Sequence, residues 1–285
     1  MSISGRTKVC ALIGDPVEHS LSPNIQNAAF QHLKLDYVYV TFRVGRKELE
    51  TAIQGIRSLK IHGLNVTMPL KVDVIQYLDQ IDENAKTIGA VNTILNSEGK
   101  LVGYNTDGKG ALMALEDGNQ SPADRKIVIL GAGGASKAVS YTLAPEAREV
   151  VILNRTVEKA EKLAKELASR FGDKVRYGKF CKSQIEKELK NADLLINATS
   201  VGMCPNEGET PVDQDLIRPD LTVFDLVYDP LETRLLKEAK SVGAKTIEGL
   251  TMLVYQGAAS FEIWTGKKAP IDVMMRAARG KSGAN

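Results

Sequence analysis

Cysteine is scarce in this 285-residue chain: Cys10, Cys181 and Cys204 are its only three, with no Cys-x-x-Cys pair among them. That excludes a disulfide framework and points to reduced thiols and a cytoplasmic setting. Histidine is as rare. His19, His32 and His62 have neither the i,i+4 spacing of a helical metal site nor finger-type spacing, so no metal is expected. Charge of one sign is lacking too. The net charge of +2 excludes a nucleic-acid footprint and a surface built for anionic membranes. No apolar stretch approaches the roughly 18 residues a spanning helix needs. The apolar run after Lys8 is too short for a signal-peptide core, and there is no internal repeat or low-complexity segment. What remains, 43% hydrophobic and 25% charged residues, is the make-up of an ordinary globular protein with room for two domains.

Strand-like and helix-like patterns alternate nearly throughout, which predicts parallel βαβ units. Residues 9–13, 37–42 and 62–66 read as strands, and residues 46–59 and 69–78 as helices. Ser22-Pro23 opens another helix, serine as its cap and proline at its first position. Residues 92–95 and 101–104 form an expected hairpin around Ser97-Glu98-Gly99. Near Asp107 the domain changes, through a connecting helix over 108–115 and a polar stretch over 116–125. Five more strands are expected at 126–130, 150–153, 175–177, 194–198 and 222–227. The first two of these flank a helix broken at Pro145. After the second comes an amphipathic helix with Ala160, Leu163, Ala164, Leu167, Ala168 and Phe171 on one face. Two final helices, over 252–264 and 270–278, return to the first domain. The fold class is therefore α/β, with two domains and a cleft expected between them.

The strand at 126–130 runs into Gly131-Ala132-Gly133-Gly134-Ala135 and then a helix, the context that a dinucleotide fingerprint requires. Glycines there permit the tight turn and let backbone N–H groups approach a pyrophosphate at the helix N-terminus. Ser136 replaces the third glycine and is small enough for close helix–strand packing. The next strand ends in Asn154-Arg155-Thr156, with Lys159 one turn on and no acid before Glu158. An acid there would grip a ribose 2′-hydroxyl, whereas Arg155 suits a 2′-phosphate and so selects NADP.

Three polar clusters mark the ends of strand-like runs in the first half: Asn65-Val66-Thr67-Met68-Pro69-Leu70-Lys71, Ala90-Val91-Asn92-Thr93 and Asn105-Thr106-Asp107. Ligands of α/β sheets bind at carboxyl ends of strands, so the three are expected to converge on one small molecule. A lysine, an aspartate and several amides or hydroxyls beside a dinucleotide suit redox chemistry on a polyol or hydroxy acid. As hydride reaches a ketone carbon, charge develops on its oxygen. A protonated Lys71 can stabilise that charge and deliver a proton. Asp107 then orients the lysine and partners a hydroxyl; the residue types alone assign the transferred proton to neither. Ser20 and Ser22, at the start of a helix, can both face an anion.

These motifs, with Gly14-Asp15-Pro16, His19-Ser20-Leu21-Ser22-Pro23, Gly89-Ala90-Val91-Asn92-Thr93, Asn197-Ala198-Thr199-Ser200-Val201-Gly202-Met203, Asp225-Leu226-Val227-Tyr228 and Gly249-Leu250-Thr251-Met252-Leu253 with Gln256, resemble the shikimate dehydrogenase family over almost the whole chain. Gln26 is one departure, standing where the family usually has histidine. The resemblance implies NADPH-dependent interconversion of 3-dehydroshikimate and shikimate, a step in making aromatic amino acids. It implies a substrate domain over 1–106, completed by helices in 249–285, and a Rossmann-type NADP domain over 107–248. Lys71 and Asp107 would be catalytic. Ser20, Ser22 and Tyr228 would hold the substrate carboxylate, and Asn65, Thr67, Asn92 and Gln256 would join Asp107 around the ring hydroxyls. Gly131 to Ala135, Asn154, Arg155, Thr156, Lys159, Thr199, Ser200 and Met203 would bind the cofactor. Main chain around Leu226 and Gly249 would approach the nicotinamide, and Glu83 matches a further cofactor position. The expected partners are these small molecules, with no nucleic acid or membrane, in a monomer or homodimer that closes around its ligands. Two rivals are a quinate/shikimate dehydrogenase using NAD and a catalytically silent nucleotide-binding regulator. The paired serines and Arg155 weigh against the first, and Lys71 with Asp107 against the second.

Overall fold

Apolar runs become strands and the amphipathic stretches between them helices, and the computed structural model describes residues 3–281 of the result. The last four residues of the expected C-terminal completion, 282–285, lie outside the described residues, as do residues 1–2. The chain divides into two compact units, one of residues 1–107 with 254–285 and one of residues 108–253.

The first unit holds β1 (Lys8–Gly14), α1 (Ser22–His32), β2 (Tyr37–Arg43), α2 (Leu49–Ser58), β3 (Gly63–Val66), β4 (Gln80–Ile81), α3 (Glu83–Ile88), β5 (Thr93–Ser97) and β6 (Lys100–Tyr104). Their sheet runs β2-β1-β3-β5-β6-β4. β1 pairs parallel with β2 and β3, but β5 is antiparallel to both β3 and β6, so this sheet is mixed rather than built of parallel units throughout. The reversal comes from the hairpin, where Glu98 and Gly99 both have positive φ (54° and 89°). That is the two-residue turn whose twist matches its flanking strands.

Two local expectations fail for reasons visible in the hydrogen bonds. Residues 69–78 are not one helix. The Lys71 carbonyl accepts from Val91 N–H at 2.8 Å instead of continuing an α-helical ladder, and only a 3₁₀ turn, Asp73–Tyr77, forms. Leu70 and Val74, both fully buried, anchor the segment; each such side chain stabilises by about 1.5–3 kcal/mol. Ser22 is not the cap of α1 but its first residue. Leu21 takes the cap position with no side-chain bond, and Ser20 Oγ accepts from Ser22 N–H at 3.2 Å.

The second unit is entered through α4 (Asp107–Asp117). It contains β7 (Lys126–Leu130), α5 (Gly134–Leu143), β8 (Glu149–Asn154), α6 (Val157–Phe171), β9 (Val175–Lys179), α7 (Lys182–Leu189), β10 (Leu194–Asn197), β11 (Thr222–Asp225), α8 (Arg234–Ser241) and β12 (Lys245–Ile247). The sheet order β12-β11-β10-β7-β8-β9 is parallel throughout. It is the doubly wound arrangement, whose strand order reverses between β7 and β10 and so opens a ligand crevice at their carboxyl ends. β7 is buried at all five positions, as a central parallel strand with both faces covered should be. α9 (Gly249–Thr265) then carries the chain back, and α10 (Ile271–Lys281) packs on α1 in the first unit.

Candidate active site

The sheet of the first unit brings the three polar clusters to one edge. β3 and β6 deliver Asn65–Lys71 and Asn105–Asp107 from their carboxyl ends. β5 runs the other way, so its amino end brings Asn92 and Thr93 to the same place; Thr93 is in register with Asn65 on one side and Tyr104 on the other. Convergence thus comes from an antiparallel strand, not from three carboxyl ends.

At this edge Lys71 Nζ donates to Asp107 Oδ2 at 2.5 Å. The two side chains are only 17% and 6% exposed, so the pair is held largely away from water. Asn92 Nδ2 donates to the other carboxylate oxygen, Oδ1, at 2.8 Å, and lies 2.9 Å from Thr106 Oγ1 and 3.2 Å from Gln256 Oε1. Asn105 accepts from Asp107 N–H at 3.0 Å and donates to the Ala90 carbonyl at 2.9 Å, which fixes the turn that starts α4. An ammonium clamped by a carboxylate whose second oxygen is tied to an amide is a proton donor with a set direction.

Beneath this pair lies a buried network that sequence reasoning did not find as such. Asn65 accepts from Tyr39 OH at 2.8 Å and donates toward Asn92 O, Thr93 Oγ1 and Ser260 Oγ at 3.1–3.2 Å. Thr93 and Ser260 hydroxyls meet at 2.7 Å. The amide of Asn65 is therefore taken up by protein partners. The one signal for Ser260 was its place in α9 one turn after Gln256; Tyr39 sits in a strand where an aromatic residue looks like core.

Ser22 Oγ and Thr67 Oγ1, both half-buried, make no hydrogen bond among the described residues. Each is a polar group available to a ligand. Ser20 lies two residues before Ser22, in the loop leading to α1. Glu83 is the first residue of α3; its side chain is 88% exposed, and its carboxylate lies 3.9 Å from Lys86 Nζ.

In the second unit the turn after β7 has the geometry its glycines imply. Gly131 sits at φ +106°, and a Cβ there would lie 2.8 Å from the Ala198 carbonyl at the end of β10, across the reversal of strand order. Gly133 precedes α5 without a side-chain cap, and no acidic residue occupies the first turn of α5, so its N–H groups suit an anion. Ser136 is more than a small residue: fully buried, its hydroxyl donates back to the Gly131 carbonyl at 2.7 Å. After β8, Asn154 donates to the Thr156 carbonyl at 2.8 Å and shapes the loop, while Arg155, Thr156 and Lys159 are exposed. Neither Arg155 nor Lys159 makes an ion pair among the described residues, which leaves both cations for a phosphate.

The ends of β10 and β11 are tied to each other. Asn197 accepts from Thr199 N–H and Oγ1 at 3.1 and 2.7 Å, and donates to Asp225 Oδ1 at 2.9 Å. Met203 N–H donates to Ser200 O at 3.2 Å in the turn beyond. Asp225 is fully buried, and burial raises its carboxyl to about 6 against the hydrogen bonds it accepts. Leu226, Val227 and Tyr228 follow it. Gly249, at the start of α9, packs so closely on them that a Cβ would lie 2.5 Å from Val227 O and 2.6 Å from Leu226 O. Asn197 and Asp225 were legible only as motif members, not as a bonded pair.

A turn with a left-handed glycine, an acid-free helix start and two unpaired cations together fit a phosphorylated dinucleotide. Comparison with known proteins agrees. Residues 12–94 match the family model for the shikimate dehydrogenase substrate binding domain, residues 114–204 that for shikimate/quinate 5-dehydrogenase, and residues 249–279 that for the shikimate 5′-dehydrogenase C-terminal domain. The chain is 53% identical over 280 residues to the NADP(+) shikimate dehydrogenase of Methanopyrus kandleri, covering 97% of each. Its structure resembles a crystal structure of a shikimate dehydrogenase in complex with NADP+, with a TM-score of 0.92, 50% identity and coverage of 98% and 97%. It also resembles the Thermus thermophilus enzyme in complex with NADP(H) and shikimate, with a TM-score of 0.87, 38% identity and coverage of 96% and 99%.

Proposed function

The chain belongs to the shikimate dehydrogenase family, and from that premise we propose that it is an NADP-dependent oxidoreductase interconverting 3-dehydroshikimate and shikimate, in the biosynthesis of aromatic amino acids. The observation that carries the reading is the shielded Lys71–Asp107 pair, held by Asn92 among amide and hydroxyl groups.

When bound, the nicotinamide supplies or accepts the hydride. Lys71 stabilises charge developing on the ketone oxygen and gives it a proton; in the oxidative direction the Lys71–Asp107 pair receives that proton. Asp107 fixes the ammonium and, with Asn92, Thr67 and Gln256, surrounds the ring hydroxyls. Asn65, which also ties Asn92 and Thr93 together, joins them around the ring hydroxyls. Ser20, Ser22 and Tyr228 take the substrate carboxylate, a role supported by the unbonded Ser22 hydroxyl. The Gly131–Ala135 turn takes the pyrophosphate, and Asn154, Arg155, Thr156 and Lys159 the adenosine 2′-phosphate. Thr199, Ser200, Met203 and main chain at Leu226 and Gly249 line the nicotinamide end. A cytoplasmic setting, supported by three free cysteines, and a monomer or homodimer complete the reading.

Mixing the protein with NADPH and 3-dehydroshikimate tests it. Loss of the reduced-nicotinamide absorbance only when both are present is the expected result. Absence of turnover from folded protein that binds NADPH would favour the silent nucleotide-binding regulator.

A further inference from the structure

The end of β11 contains a buried acid that the hydride-transfer chemistry does not use. Asp225 accepts three hydrogen bonds: from Asn197 Nδ2 at 2.9 Å and Val227 N–H at 3.1 Å on Oδ1, and from Thr233 Oγ1 at 2.7 Å on Oδ2. The second bond has a consequence through the backbone. Val227 N–H and Leu226 C=O belong to one planar peptide group and point in opposite directions. Whatever fixes the N–H therefore aims the carbonyl.

Leu226 lies just past the strand, half-buried, and its C=O receives no hydrogen bond among the described residues, which leaves it open to a ligand donor. Gly249 keeps its surroundings clear, since a Cβ there would lie 2.6 Å from Leu226 O. One residue orients the acceptor and the other leaves room beside it.

We propose that Asp225 is a positioning residue for the cofactor: by holding Val227 N–H it aims the Leu226 carbonyl at the carboxamide –NH2 of the nicotinamide. The inference rests on the reading that main chain at Leu226 and Gly249 faces that ring. It makes Asp225 a determinant of how the ring is oriented, not of phosphate or shikimate binding.

The test compares the affinities of NADP+ and its 3-acetylpyridine analogue, measured by calorimetry on the full chain. The analogue keeps the ring carbonyl and replaces the amide nitrogen with a methyl. A neutral hydrogen bond is worth about 0.5–1.5 kcal/mol, so the wild type should prefer NADP+ by about 2- to 13-fold. Asp225→Ala should remove most of the preference measured for the wild type. Asp225→Asn, which keeps an oxygen to accept from Val227 N–H, should restore it. The preference for NADP+ over NAD+ should stay at the wild-type value in both. A folded Asp225→Ala protein with undiminished carboxamide preference would overturn the proposal, as would its loss in Asp225→Asn. Should Asp225→Ala not fold, Gly249→Ala addresses the same carbonyl, and retention of the preference there is equally contrary. A wild type that binds both cofactors alike would instead remove the premise that Leu226 meets the carboxamide. Shikimate-dependent turnover by the same samples reads the overall function separately.

Discussion

Replacing Lys71 with alanine separates catalysis from binding. In the native pair the ammonium lies 2.5 Å from Asp107 Oδ2, and the carboxylate side chain is only 6% exposed. On the proposed mechanism, removing the lysine deletes the group that protonates the nascent alkoxide, for which general acid catalysis contributes about 10²–10⁴-fold. Lys71→Ala should therefore lower kcat by about 10²–10⁴-fold. Shikimate would still meet Ser20, Ser22, Thr67, Asn92 and Gln256, so KM should stay within a few-fold. The same substitution strands Asp107 with Asn92 as its remaining side-chain donor. Breaking a fully buried pair costs about 3–5 kcal/mol; with Lys71 17% exposed, the loss here should be about 1–3 kcal/mol. Because the two residues act as a unit, Lys71→Ala/Asp107→Ala should be no slower than the slower single variant, and more stable than Lys71→Ala alone. Initial rates of NADP+ reduction and urea unfolding of the four proteins provide the cycle. Turnover of Lys71→Ala near wild type, or a rise in KM with kcat unchanged, would refute the role given to the lysine.

Other expectations follow from single contacts. Ser22→Ala removes one hydroxyl from the carboxylate end. A hydrogen bond to a charged group is worth about 1.5–3 kcal/mol, so KM for shikimate should rise by about 10- to 150-fold with kcat nearly constant; steady-state kinetics would show the reverse if Ser22 served the chemistry. Arg155→Ala should weaken NADP+ by a similar factor, about 10- to 150-fold, and leave NAD+ unchanged. An equal loss for both cofactors would contradict recognition of the 2′-phosphate. Away from the site, Glu188 is buried between Arg176 and Lys126, and the Arg176 hydrogen bonds, aided by Lys126, hold its carboxyl down at about 2. A depressed carboxyl stabilises the fold above its ordinary pKa of 4.5 and loses that effect as pH falls toward 2. The wild type should thus lose about 3 kcal/mol over that interval through this group, a loss absent from Glu188→Gln in denaturant titrations at each pH.

The sequence made the second unit easiest to read. Its central strands β7, β8, β10 and β11 are continuous apolar runs such as Lys-Ile-Val-Ile-Leu, buried on both faces, and its glycine turn lies between a strand and a helix. The short elements β4, α3, α7, α8 and β12 escaped detection because each is only two to eight residues long, too short for a helical or strand pattern to repeat. Around the site, Lys71, Asp107 and Asn92 were legible because strongly polar residues stood beside apolar runs. The supporting layer was not. Tyr39 and Ser260 come from distant parts of the chain, and no local pattern states that they will meet Asn65. Nor could spacing reveal that the Lys71 carbonyl would be claimed by Val91, the bond that turns an expected helix into a 3₁₀ turn.

Reduction of nicotinamide, followed by absorbance with shikimate or quinate and NADP+ or NAD+, separates the proposed activity from its rivals. Rapid reduction of NADP+ that depends on shikimate is expected, with little from the other three pairs. Comparable rates with quinate or with NAD+ would contradict it and place the protein among the broader-specificity relatives.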